Sequence, residues 1–327
     1  MDRISREKGM LLGLAVGDAL GANLEFTIFH HSEITDDKVE NMSDGMWPKG
    51  AWTDDTSMSL CLGNSLVEKG GYDSYDVMEK YLAWMYKGYC SYDNEPAGDV
   101  GISISQSLNQ YLNDGIVYKD SKRGNRAGNG VLMRLAPVVL ATKSETVENV
   151  ARLARISARE THFCLEAEVA TEMFAIMLKT ALSVTKKSEV ISAIEEYRPE
   201  TARETYIDIL SRVLPAEDLE YQSSLEDLGG YSVDALKIAV WGFMNFDSFE
   251  EGLKAVIKLA GDTDTNGAIY GQLAGAFYGV EAIPKRWLDD LIRADEIAGL
   301  AEKLSKMEKC PILRTRFEED AEFENLA

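Results

Sequence analysis

Two short stretches carry residue types and spacing that could do chemistry. The first is Asp262-Thr263-Asp264-Thr265-Asn266-Gly267, which fits the opening of a calcium-binding EF-hand loop. Such a loop closes with a bidentate Glu at position 12, and here that position is Leu273. No carboxylate follows Gly267 before Glu281, and the residues between are apolar at helical spacing, so a calcium loop is excluded. The second stretch is Thr53-Asp54-Asp55-Thr56, followed by Met58, Cys61, Leu62, Ser65 and Leu66 at helical spacing. Both clusters therefore fall at helix N-termini. One Asp or Thr there is accounted for by capping of free backbone N–H groups. Two Asp flanked by Thr, on two helices, go beyond capping. Together they offer four carboxylates and several hydroxyls, with no Cys or His. That donor set selects hard cations such as Mg²⁺ or Mn²⁺ and is sufficient to bridge two ions about 4 Å apart.

The elements that must position these groups read as helices. "ENVARLARISARETHFCLEAEVATEMFAIMLKTAL" predicts a helix, a break at Thr161-His162 and a second helix. "SVDALKIAVWGFMNF" predicts another after Gly229-Gly230, and Ser248 with Glu251 predicts a capping box on the next. No stretch alternates with a period of two. Gly9, Gly13, Gly17 and Gly21 recur every four residues, as do Gly267, Gly271, Gly275 and Gly279. That spacing lays each set along one helix face. Interior glycine costs up to about 1 kcal/mol per position, which is explained if two helix backbones meet closely beside the acidic clusters. The prediction is an all-α protein: one large domain over 1–306, with 307–327 as a charged C-terminal extension packed loosely on it.

Composition bounds the rest. The chain has 327 residues, is 45% hydrophobic and carries a net charge of −21. The charge opposes nucleic-acid binding and adhesion to anionic membranes. Its four cysteines form no CxxC pair, which predicts free thiols in a reducing compartment. No apolar run reaches the length of a membrane span. A cytoplasmic monomer is expected.

"GLAVGDALGANLEF", "WTDDTSMSL", "GNGVLMRLAPV", "ETHFCLEAEVAT" and "AGDTDTNGAIYGQLAGAFYG" occur in this order. Together they resemble the ADP-ribosylglycohydrolases, from about residue 5 to 290. The resemblance implies a single orthogonal helical bundle with a binuclear Mg²⁺ or Mn²⁺ site at its centre. It implies hydrolysis of the N- or O-glycosidic bond between ADP-ribose and a protein side chain, most often arginine. It makes Thr53, Asp54 and Asp55 one half of the metal site and Asp262, Asp264 and Thr265 the other. Glu25 becomes a ligand or the group that handles the proton of the attacking water, and Asp99 a residue near the scissile ribose. Gly128, Asn129 and Gly130 are assigned to ADP-ribose contact, His162 to the substrate cleft and Tyr231 to the adenosine end. Read by themselves, Glu25 is a surface residue, Asp99 a turn or capping residue, His162 a structural histidine and Tyr231 a core tyrosine. His30 and His31 earn no role. The chain departs from the family pattern at Ala260, where Gly is usual, at Asn266, where Thr or Ser is common, and at Ile102-Ser103. None removes a metal-binding residue. The alternatives are another ADP-ribosyl link (O-linked serine, a nucleobase or a small metabolite) and a non-catalytic ADP-ribose binder.

Overall fold

Two helices meeting backbone to backbone organise the molecule. The computed structural model describes residues 2–25, 33–117, 127–214 and 230–316. Phe26, His30, His31, Arg126, Gly229 and the end of the extension, 317–327, lie outside the described residues. Helix α1 (Arg3–Gly21) runs antiparallel to α12 (Thr263–Tyr278). Their glycine stripes interlock: a Cβ added to Gly9, Gly13 or Gly17 would stand 2.4, 2.2 or 2.0 Å from the carbonyl oxygen of Gly275, Gly271 or Gly267. Any side chain there forces the helices apart, so the propensity cost of glycine is offset by close backbone packing. Gly17→Ala is expected to destabilise the protein by about 3 kcal/mol or to prevent folding. An unchanged denaturant midpoint would show that the interlock is not needed.

The remaining helices surround this pair. They are α2 (Asp54–Lys69), α3 (Ser74–Lys87), α4 (Ile102–Asp114), α5 (Ala136–Thr142), α6 (Val147–Arg159), α7 (Leu165–Ala181) and α8 (Lys187–Glu196). They continue with α9 (Arg203–Val213), α10 (Ser232–Asn245), α11 (Phe249–Ile257), α13 (Lys285–Asp290) and α14 (Ala294–Ser305). Helices α7, α10 and α11 pack on α12, while α14 packs on α1, α2 and α5. The break predicted at Thr161-His162 separates α6 from α7. Ser248 caps α11 by accepting from the Glu251 amide at 3.1 Å. The Glu251 carboxylate accepts from the Ser248 hydroxyl, so the box closes on the side chain.

One feature escaped the periodicity analysis. β1 (Tyr72–Asp73) pairs in parallel with β2 (Ile312–Arg314). Cys310 is buried and its amide donates to Glu145 at 2.8 Å, so the chain from Met307 to Arg314 is tied to the bundle. Among the described residues no helix is long and apolar enough to cross a membrane.

Candidate metal centre and cleft

Asp18, near the end of α1, is fully buried. Its Oδ1 accepts from the Thr53 amide (2.9 Å) and hydroxyl (3.0 Å). Its Oδ2 accepts from the Thr56 amide (3.0 Å) and hydroxyl (2.6 Å). Asp18 thus caps α2 from outside, satisfying amides that a helix start leaves free. Thr53, the N-cap residue, makes no capping bond of its own. Nor does Asp262 at the start of α12; its Oδ2 accepts from the Asn129 side-chain amide at 2.7 Å. Capping therefore does not account for either acidic cluster. Asp18→Asn turns an amide N–H toward one pair of these donors. It is expected to weaken cation binding by about 10- to 100-fold, measured by titration calorimetry; unchanged affinity would remove Asp18 from the support of the site.

The two helix starts converge. The Thr53 hydroxyl lies 3.0 Å from Asp55 Oδ2 and 3.2 Å from Asp264 Oδ2, and the Thr265 hydroxyl 3.5 Å from Asp55 Oδ2. Asp18, Asp55 and Asp264 present oxygens within 4.8 Å of one another, and so do Glu25, Asp262 and Asp264. The two groups share Asp264. Buried oxygens Asp55 Oδ1 and Glu25 Oε2 have no hydrogen-bond partner.

Crowded carboxylates out of water resist ionisation. Burial pushes Asp54 up to about 7, with the charges of Asp99 and Asp18 adding to it. Burial, then Asp262, Asp99 and Asp54, pushes Glu25 up to about 8. Asp55 and Asp264 are driven well above the usual carboxylate range, by burial first and then by their acidic neighbours. Among the described residues lining the adjoining cleft there is no Lys or Arg. Two orphaned carboxylate oxygens and an all-oxygen donor set fit a hard divalent cation.

The carboxylates open on one side into a cleft of about 350 Å³. Its wall includes Glu25, Asp54, Asp99, Asp262, Asp264 and Thr265, together with Gly128, Asn129, Gly130 and His162. Asp55 and Thr53 lie behind this wall, buried. Residues 128–130 are held from two sides. The Asn129 amide donates to Gly230 O at 2.7 Å, and Ser232 N donates to Ala127 O at 2.8 Å. His162 packs under the strip: a Cβ on Gly128 would come within 2.8 Å of its Nε2. Glycine here brings bare backbone to the cleft wall.

Ten of the thirteen residues singled out from the sequence therefore line one cleft, and Thr53 and Asp55 support it. Tyr231 stands apart. Its backbone bridges Gly128, while its hydroxyl donates to Glu166 and accepts from Arg212, each at 3.0 Å. Three contributors went unread. Asp18 was visible only as a lone charge within an apolar, glycine-striped helix, a position that demands partners. Gly101, whose amide faces Asp54 at 3.5 Å, and Gly230 gave no signal. Ala260 takes a left-handed φ of +66°, followed by Gly261 at +74°. This is the turn into Asp262 that favours glycine at both positions.

The fold and the centre together define an all-α protein built around buried acidic groups that could hold metal. The chain belongs to the ADP-ribosylglycohydrolase family, whose model matches residues 1–311. It is 31% identical to the ADP-ribosylarginine hydrolase Tri1 of Serratia proteamaculans, over 94% of this chain and 80% of that one. It is also 31% identical to the ADP-ribosyl-[dinitrogen reductase] glycohydrolase of Rhodospirillum rubrum, over 88% of this chain and 90% of the relative. A solved structure titled ADP-ribosylglycohydrolase-related protein complex superposes with a TM-score of 0.79 at 38% identity, covering 94% of this chain and 99% of that one.

Proposed function

We propose that this chain hydrolyses the bond between ADP-ribose and arginine side chains of proteins, with two divalent cations, Mg²⁺ or Mn²⁺, held by Thr53, Asp54, Asp55, Asp262, Asp264 and Thr265. The observation that carries the reading is the pair of overlapping carboxylate groups sharing Asp264, with two buried oxygens left unpartnered. The arginine linkage is favoured by the Serratia and Pseudomonas putida relatives, both named ADP-ribosylarginine hydrolases. When bound, the cations supply positive charge and Lewis acidity for substrate oxygens.

The chain's own residues do the rest. Glu25 lines the cleft with one oxygen unpartnered, and in the metal-free protein burial, then Asp262, Asp99 and Asp54, oppose its ionisation. A carboxyl so tuned can give a proton to a leaving group or take one from water. Asp99, beside Asp54 at the cleft wall, adds negative charge where an oxocarbenium-like transition state gains positive charge. Gly128, Asn129 and Gly130 offer backbone that ribose or phosphate can approach, and Asn129 is fixed by its bond to Asp262. An anionic substrate suits this acidic protein because the bound cations would supply positive charge locally, and charge at the site outranks net charge. Four free cysteines agree with a reducing cytoplasm, and the acidic surface with a monomer.

The test is ADP-ribose release from ADP-ribosyl-arginine and ADP-ribosyl-serine substrates in parallel. Release from arginine only is expected. Release from serine alone keeps the site and overturns the linkage. ADP-ribose binding without release from either substrate would favour a binder.

A further inference from the structure

His162 is held in the cleft wall by a buried relay that selects its tautomer. Arg134 is fully buried. Its guanidinium donates to the Thr161 hydroxyl at 2.6 Å and to the Ser157 carbonyl at 3.2 Å, and it stacks 5.2 Å from the centre of the Tyr81 ring. The Thr161 hydroxyl in turn lies 2.8 Å from His162 Nδ1. The Ser107 hydroxyl pins the Thr161 carbonyl from α4 at 2.7 Å. Thr161 is 1% exposed and His162 2%, so no bulk water enters the chain of contacts.

The direction of the bonds follows from what each group can do. Arginine has five donors and no acceptor, and it does not deprotonate. The Thr161 oxygen must therefore accept from Arg134. That leaves the hydroxyl proton, whose bonded acceptor is His162 Nδ1. A proton on Nδ1 would point two donors at one oxygen and strand the hydroxyl proton in a buried site, at the cost of an unmade hydrogen bond. We infer that Arg134 and Thr161 are positioning residues that hold neutral His162 with its proton on Nε2, so that the imidazole edge beside Gly128 and Gly130 is a hydrogen-bond donor suited to a phosphate or ribose oxygen. A histidine accepting at Nε2 would repel such an oxygen. The ligand class rests on the ADP-ribose reading of the cleft; the tautomer does not.

The experiment is a long-range proton–nitrogen correlation spectrum of the imidazoles in the intact chain. With three histidines, His162 is assigned by its loss in His162→Gln. The neutral ring is expected to show a pyridine-like Nδ1 and a protonated Nε2; a protonated Nδ1 overturns the inference. Thr161→Val removes the relay without changing the shape. It should release the ring into mixed tautomers and raise KM for the ADP-ribosylated substrate about tenfold, with cation affinity unchanged. Thr161→Ser should restore both. An unaltered tautomer in Thr161→Val also overturns it. If the unmutated chain turns over no ADP-ribosylated substrate, the functional reading fails while the spectrum still decides the tautomer. Should Thr161→Val not fold, the unmutated spectrum and Thr161→Ser decide.

Discussion

Asp264→Asn is expected to lower turnover at least a thousandfold, roughly what several kcal/mol of lost transition-state stabilisation amounts to. The fold should survive. Asp264 is the one carboxylate common to both acidic groups, so losing its charge would disturb both proposed cation positions at once. Its contacts within the protein are modest: Oδ1 accepts from the Thr265 amide at 2.8 Å, and Oδ2 lies 3.2 Å from the Thr53 hydroxyl. Asparagine keeps the shape and can keep the amide contact. Removing one of several buried like charges relieves repulsion, so the metal-free variant should melt at or above the temperature of the parent protein. Lost activity with a retained or raised melting temperature separates a functional carboxylate from a structural one. A melting temperature that falls with activity would assign Asp264 to structure.

Metal-free protein is expected to lose stability as the pH rises, and divalent cations to abolish that loss. Asp18 is raised to about 6, chiefly by burial, Asp54 to about 7 and Glu25 to about 8. In the unfolded chain these groups titrate near 3.8 for Asp and 4.5 for Glu. Between those values and pH 8 the folded state binds more protons than the unfolded one. Stability then falls with pH. The contribution is full below about pH 4 and is lost through pH 6 to 8. Between pH 5.5 and 8.5 the melting temperature in EDTA should drop by roughly 5 °C or more. Millimolar Mg²⁺ or Mn²⁺ opposes the drop because cations bind the ionised carboxylates of the folded state. A melting temperature in EDTA that is flat over this range would mean that the carboxylates are not strained.

Much of this was legible locally. The acidic clusters precede strong helical periodicity, and both helices start where that pattern begins, Asp54 and Thr263 being their first residues. The glycine stripes signalled close helix contact, and Gly17 meets Gly267 as the matched spacing implies. Illegible features depend on partners far along the chain. Asp18 caps a helix whose N-cap residue, Thr53, lies 35 residues later, and its role cannot be read from its own helix. β1 and β2 are too short for any alternation to register and are separated by most of the chain. The Tyr231 hydroxyl is engaged by Arg212 and Glu166, which no local pattern links to it. His162 stands where the helix break placed it, but its hydrogen bond through Thr161 depends on Arg134, another helix away.

The central claim is that this chain hydrolyses ADP-ribosyl-arginine with divalent cations held on the shared carboxylates. It is tested most directly by stripping the protein with EDTA and titrating Mn²⁺ back, with ADP-ribose release followed at each bound equivalent. No release is predicted in EDTA, with activity appearing as the second ion binds. Full release from the stripped protein would contradict the account, as would two bound ions with no release.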